Sequence, residues 1–314
     1  MLMVFPPISR LGGGATRRPG RIRLVPVTER LRPAIAAIVR DEPVRAVHVA
    51  ARLGRVTPAR GPAVFAVVAP DDRPLGAISA VRGFAWVLVP EVREDPDVHF
   101  ALATFIATRG AENDVVVGQE DEVAGVLEGL ELQGVTAREV RAQQMMASTG
   151  ATEPPVPQAA LEMRLARPTD LTWLLDAHAG MCREDLGVDQ VARNRSGYAA
   201  YFRDLIAGGR VHVGEADAGP VFKAEVALRS PDAWLVEGVY TVPEARGLGF
   251  ARHGMAHIAA RARRDGRLTC LYVHRENERA IAVYRSVGFE HVCRWTTAII
   301  GRERPAAGWF GRRR

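Results

Sequence analysis

VEGVYTVPEARGLGFARHGM, residues 236–255, is the stretch from which the rest of the chain is read. An apolar run ends at Thr241 or Val242, and Pro243 stops it because proline cannot continue a strand ladder. Arg246-Gly247-Leu248-Gly249-Phe250-Ala251 then makes a turn that runs straight into a helical pattern. Strand, glycine-rich turn and helix N-terminus, in that order, form a device for holding phosphate. Free backbone N–H groups point at the anion, and the helix dipole favours negative charge. Glycine lets the backbone come close. Two other phosphate loops fail here. A dinucleotide fingerprint needs a third glycine where Arg252 stands, and the Gly-Lys-Ser/Thr of a P-loop is absent.

Downstream, CLYVHRENERAIAVYRSVGFE (270–290) reads as a strand ending near His274, a helix opened by Asn277, and a stop at Gly288 before a strand at Phe289. Tyr284 lies seven residues after Asn277, two turns along the same helix face. Taken alone, this is a helix with an asparagine cap and a core tyrosine. Upstream, LEMRLAR (161–167) is a strand, and Pro168-Thr169-Asp170 opens a helix. A second helix covers 198–208, and three strands follow at 210–216, 220–228 and 234–242, joined as antiparallel neighbours. The next helix runs from about Gly247 to Arg264, with Leu248, Met255, Ile258, Ala259 and Ala262 on one face. Two strands over 289–300 close this half.

STGATEPPVPQ, 148–158, has three prolines and no large apolar residue, which is linker chemistry. It predicts a division into residues 1–22 (leader), 23–147, a linker at 148–159, 160–301, and a basic tail at 302–314. The 23–147 segment repeats the same order of elements, which points to a duplicated fold. Its strand-to-helix turn, however, has no glycine and several acids (REDPD, 93–97), so this half is expected not to bind phosphate.

The formal charge is +6, but five arginines lie in residues 1–23 and five in 302–314, and the remainder holds slightly more acids than bases. A specific nucleic-acid function is therefore not expected. The chain has no run of 18 apolar residues, so no transmembrane helix is expected. Cys182, Cys270 and Cys293 have no metal-ligand spacing, so no metal is expected, and they read as reduced thiols of a cytoplasmic protein.

Together the two stretches resemble the GNAT superfamily of N-acetyltransferases. Arg246-x-x-Gly249-x-Ala251 matches its pyrophosphate motif, and Asn277-x-x-Ala280-x-x-x-Tyr284-x-x-x-Gly288-Phe289 matches its second conserved region. The resemblance covers about 160–301. A narrower one is to actinobacterial two-part GNAT proteins whose N-terminal domain is of unknown function. It rests on REVRAQQMM (138–146), MCREDLG (181–187), VFKAEV (221–226) and the series LYV (271–273), Asn277, Tyr284 and Gly288-Phe289. His274 stands where those relatives carry a further asparagine.

The resemblance implies an α/β (α+β) GNAT fold with a mixed, mostly antiparallel central sheet, preceded by a degenerate GNAT-like domain. It implies an acetyl-CoA-dependent N-acetyltransferase acting on an amine, either a small molecule or a protein amine. The amides of Leu248, Gly249, Phe250 and Ala251 would hold the pyrophosphate, with Arg246 and Gly247 shaping the turn. Val239, Tyr240 and Thr241 would offer a donor to the thioester oxygen, Asn277 and Ala280 would lie along the pantetheine arm, and Tyr284 would serve as acid.

Glu237 is the candidate base, expected on one strand face with Val239 and Thr241 because side chains alternate. A solvent-facing or ion-paired Glu237, with water as base, is the alternative. Lys223 and Glu225, two apart on a strand, share a face and read as a structural ion pair or as part of the acceptor cleft. Glu184 and Asp185 are candidate acids for a cationic acceptor. The competing function is a non-catalytic acyl-CoA-binding sensor, which would need the anchor but not Tyr284. The assembly is expected to be a monomer or homodimer.

Overall fold

The computed structural model describes residues 21–53, 63–81, 83–109, 112–148 and 160–302. The expected leader and basic tail, and all but the first residue of the expected linker, lie essentially outside these residues. The described chain divides into two compact units that interleave in sequence. One holds residues 39–53 and 143–293, the other 21–38, 63–142 and 294–302.

The second-named unit runs β1 (Arg23–Pro26), α1 (Arg32–Asp41, its last residues in the other unit), β2 (Val64–Val68), β3 (Pro74–Val81), β4 (Phe84–Leu88), α3 (Pro96–Thr108), β5 (Glu112–Gln119), α4 (Glu120–Glu131) and the first part of β6 (Val135–Ser148). Its strands lie in the order β1-β2-β3-β4-β5-β12, where β12 is Phe289–Arg302. There β4 and β5 are parallel. A parallel pair needs a crossover, and α3 supplies it.

The other unit contains α2 (Val47–Leu53), the end of β6, β7 (Glu162–Leu165), α5 (Leu171–Leu186), α6 (Gln190–Arg193), α7 (Arg195–Ala207), β8 (Val211–Ala216), β9 (Gly219–Arg229), β10 (Ala233–Thr241), α8 (Phe250–Arg264), β11 (Leu268–His274) and α9 (Glu278–Arg285). Its order is β6-β11-β10-β9-β8-β7, again with one parallel pair, β10 and β11, here bridged by α8. The same plan therefore occurs in both units. Each is a mixed, mostly antiparallel sheet, as the sequence predicted.

Three expectations change. The closing pair of strands at 289–300 is one strand, β12, whose residues from Trp295 to Gly301 pair with β5. The edge of β11 is covered by Gln143–Ser148, the end of the strand expected to close the first half. An unpaired central edge would leave a row of backbone groups unsatisfied, and this segment fills it. The helix expected from Gly247 begins at Phe250, so Leu248 precedes it. Met255, Ile258 and Ala262 are buried as predicted, while Ala259 is half-buried.

Both faces of the β8–β11 sheet are covered. Phe222, Ala224, Trp234, Val236, Leu271 and Val273 pack with α8 and α9. The other face meets α5, α2 also packs on β9 and β10, and α7 packs against Val211 and Val213 of β8. The start of α5 is tied down by Asp170, whose carboxylate takes two bonds from Arg164 (2.7 and 2.9 Å) and one from the Arg167 amide. The Arg164 hydrogen bonds hold the Asp170 carboxyl below the usual range. A depressed folded pKa stabilises above the unfolded value, and that stability is lost as pH falls through the folded one. Asp170→Asn is expected to cost about 2 kcal/mol at neutral pH. The deficit against wild type should begin to shrink below about pH 4, where the unfolded carboxyl takes up its proton, and close only once pH has passed the lowered folded value, as read by urea melts across that range.

Candidate active site

The strand β10 meets β11 in register only over Ala233–Leu235 against Leu268–Cys270. Both strands run on, β10 to Thr241 and β11 to His274, so their second halves lack parallel register partners and a gap opens in the sheet. On the other side, β10 slips by one residue against β9. Glu237 pairs with Glu225, and the next pair is Tyr240 with Lys223. Gly238, at φ +61°, sits in this bulge. Gly238 and Val239 therefore have no register partner on either neighbouring strand.

Beyond Thr241, a one-turn 3-10 helix (Pro243–Ala245) leads to Gly247 at φ +83° and Gly249 at φ +79°. These left-handed conformations suit glycine and turn the chain sharply into α8. Gly249 caps α8 without a side chain, and the first turn of the helix contains no acid. The helix thus presents its first amides with no side-chain acceptor on them. The equivalent helix of the other unit is different. Asp95 caps α3 and accepts from the amides of Asp97 (2.9 Å) and Val98 (3.4 Å), so a carboxylate already takes the place an anion would need.

Arg246 does not reach forward along the turn. Its Nε donates to Thr241 O (3.1 Å), and its guanidinium grips both oxygens of Glu184 at the end of α5 (2.8 and 2.7 Å). Tyr240, buried, donates its hydroxyl to the same carboxylate at 3.1 Å. The sequence left Glu184 as a candidate acid for an acceptor, but here it is the brace of the turn. Its neighbour Asp185 acts on Tyr284. Burial, with a smaller push from the Asp185 charge, raises the Tyr284 phenol well above the ordinary tyrosine value. The end of α5 thus brings together the end of β10, the glycine turn and Tyr284. Asn277 caps α9 through the Ala280 amide (3.1 Å), so its oxygen has a structural duty.

The expected face-sharing of Glu237 with Val239 and Thr241 does not hold. Antiparallel register partners point to the same side of a sheet, so Glu237 shares its face with Glu225, Tyr240 and Lys223. The bulge inserts one residue and reverses the alternation after it. Val239 packs with the α8 core, on the face of Tyr284. The two catalytic candidates therefore lie on opposite faces of the sheet, and the gap between β10 and β11 is where both could approach one group.

Around Glu237 are residues the sequence reading did not single out. Tyr272 on β11 donates to Glu237 Oε1 at 2.6 Å. His48, brought by α2, has its ring 6.4 Å from that of Tyr272. Below them, Lys223 and Glu225 form a fully buried ion pair. His178 lies 3.9 Å from Glu225 and packs on Tyr198 and Phe202. Burial, with the Lys223 charge, pushes His178 down to about 2, so its ring is neutral. The tyrosines carry no positional signature in sequence, because their roles depend on strands that meet only in the fold. Among the described residues, no group of three or more His, Cys, Asp or Glu could hold a metal ion, and no helix is long and apolar enough to cross a membrane.

Residues 170–289 match the model of the Acetyltransferase (GNAT) family. No curated protein matches the sequence. Among solved structures, a GCN5-related N-acetyltransferase from Sphaerobacter thermophilus is 18% identical, with 91% of this chain and 96% of that one covered and a TM-score of 0.57. An acetyltransferase of the GNAT family from Colwellia psychrerythraea is 12% identical, covering 90% and 100%, at 0.51. A tandem GNAT protein from the clavulanic acid biosynthesis pathway is 15% identical, covering 91% and 100%, also at 0.51. At these identities the likeness is one of fold, and it extends over both units.

Proposed function

We propose that this protein, whose residues 170–289 match the model of the Acetyltransferase (GNAT) family, moves an acetyl group from acetyl-CoA to an amine, using the gap between β10 and β11. The observation that carries the reading is the uncapped start of α8 behind Gly247 and Gly249, at the very end of the strand that lines that gap. The amides of Leu248, Gly249, Phe250 and Ala251 would bind the diphosphate, directing the thioester back along β10 towards Val239. Asn277 and Ala280 would border the pantetheine arm.

The amine nitrogen attacks the thioester carbonyl. Charge collects on the carbonyl oxygen, and a backbone N–H in the bulge, at Val239, would stabilise it. The carbon–sulfur bond then breaks, and the thiolate takes the proton of Tyr284. The proton lost by the amine passes to Glu237 or to water, with Tyr272 orienting the carboxylate. Tyr284 is given the acid role because it carries the proton-bearing group that shares the Val239 face of the sheet, and a phenol is protonated at neutral pH. The unit with the Asp95-capped helix would not bind CoA.

Arg246 would act behind the turn. Arg246→Ala removes its bonds to Thr241 and Glu184, and is expected to raise the Kd for CoA about ten-fold through loss of charge-assisted bonds. Calorimetry checks this. For the reading as a whole, calorimetry with CoA and release of thiol from acetyl-CoA across an amine panel form the test. Absence of CoA binding would sink it, and CoA binding with no turnover on any amine would favour a sensor.

A further inference from the structure

Lys223 is the single lysine of the chain, and it is completely buried. Its ammonium donates to the Glu225 carboxylate and, at 2.8 Å, to the carbonyl oxygen of Gly238. It also lies over the Phe202 ring, 5.7 Å from the centroid. Glu225 is pressed against the bulge from the same side. A Cβ on Gly238 would lie 2.3 Å from one carboxylate oxygen and 2.5 Å from the other. The carboxylate therefore packs directly on Gly238, and a side chain at position 238 would have to displace it as well as hold φ +61°.

A buried ion pair is a poor way to gain stability, since removing two charges from water costs about what their attraction returns. What this one does is grip a single peptide plane. The atoms of a trans peptide lie in one plane, with the carbonyl oxygen and the following N–H pointing in opposite directions. Holding Gly238 O on Lys223 thus aims the Val239 N–H away from the β9 ammonium. Neither residue of that plane has a ladder partner on β9 or β11 to set its direction.

We propose that Lys223, seated by Glu225, is a positioning residue for the transfer reaction: it fixes the 238–239 peptide so that the Val239 N–H meets the thioester oxygen. This rests on the acetyl-transfer reading above. Lys223 touches no reacting atom and acts only through the peptide.

The test uses the full chain carrying Lys223→Met with Glu225→Met, since either change alone leaves a buried group without its partner and destabilises the fold. Circular dichroism and thermal melting establish that the double variant is folded. The protein is labelled with 15N-valine, and the Val239 amide peak is assigned by Val239→Ala. In wild type, acetyl-CoA should move that peak further downfield than CoA does, because only the thioester offers the carbonyl. In the double variant, CoA should bind with wild-type affinity and the difference between the two ligands should vanish. With an accepted amine, kcat should fall about 10²-fold with KM for acetyl-CoA little changed, the loss typical of a misplaced oxyanion donor. A folded double variant that keeps the wild-type difference between ligands overturns the proposal while leaving the acetyl-transfer reading intact. Should the double variant not fold, Lys223→Arg, which keeps the charge but displaces its nitrogen, is carried through the same titration with the same two outcomes. A wild-type protein that does not bind CoA overturns the reading itself, and the proposal with it.

Discussion

Replacing Tyr284 with phenylalanine is expected to lower kcat for acetyl transfer about 10²–10³-fold while the Kd for CoA stays within about two-fold of wild type, the range of a lost general acid. The substitution removes one oxygen and keeps the ring, so its packing with Phe289 (centroids 6.0 Å apart) and the α8–α9 core should survive. Thermal melts should therefore nearly coincide. The expectation rests on a proton and not on a contact. Burial and the Asp185 charge keep the phenol protonated well past the ordinary tyrosine range, so a proton is available whenever the thiolate leaves. For the same reason, the wild-type rate should not decline through loss of this proton up to about pH 10, where an unperturbed tyrosine titrates. Stopped-flow thiol release across that range reads both effects. A phenylalanine variant with unchanged kcat would remove Tyr284 from the chemistry and leave water to protonate the sulfur.

How much of this geometry was legible in the sequence follows from which interactions are local. The turn at Arg246–Ala251 was legible because proline, glycine and a helix pattern each constrain the backbone within a few residues. Gly247 and Gly249 do adopt positive φ. Asn277 and Tyr284 were legible for the same reason, since a cap and a helix face are set by spacing alone. The face of Glu237 was misread because period-two alternation fails at a bulge. The bulge lies against Glu225 and Lys223 on the neighbouring strand, which sequence spacing could pair with each other but not with Gly238. The bracing role of Glu184 was out of reach for a related reason: an acid at a helix end looks solvated until the arginine it pairs with, 62 positions away, folds against it. The interleaving of the units lay furthest from reach. That Gln143–Ser148 would pair with β11, and that α2 would pack on β9 and β10, depends on contacts across more than a hundred residues.

Valine at position 249 separates the anchor from the rest of the fold. Gly249 holds φ +79° as the cap of α8, and a β-branched residue there is strained. The chain can relieve the strain only by rotating the turn, which swings the first amides of α8 off a common target. Gly249→Val is expected to raise the Kd for CoA about 10²-fold, since two or three aimed N–H groups would be lost at about 1–1.5 kcal/mol each. Some stability will be lost as well, so the comparison needs a matched strain elsewhere. Gly266 provides it: φ is +70°, no atom lies within 4 Å of where its Cβ would be, and it sits just past the other end of the same helix. Gly266→Val should lower Tm by a similar few degrees, about 1 kcal/mol of strain in a chain of this size, yet bind CoA as wild type does. Equal loss of affinity in both variants would mean that valine acts through the helix as a whole. Loss confined to position 249 would place the diphosphate at the start of α8, because that end alone combines an uncapped turn with the gap in the sheet.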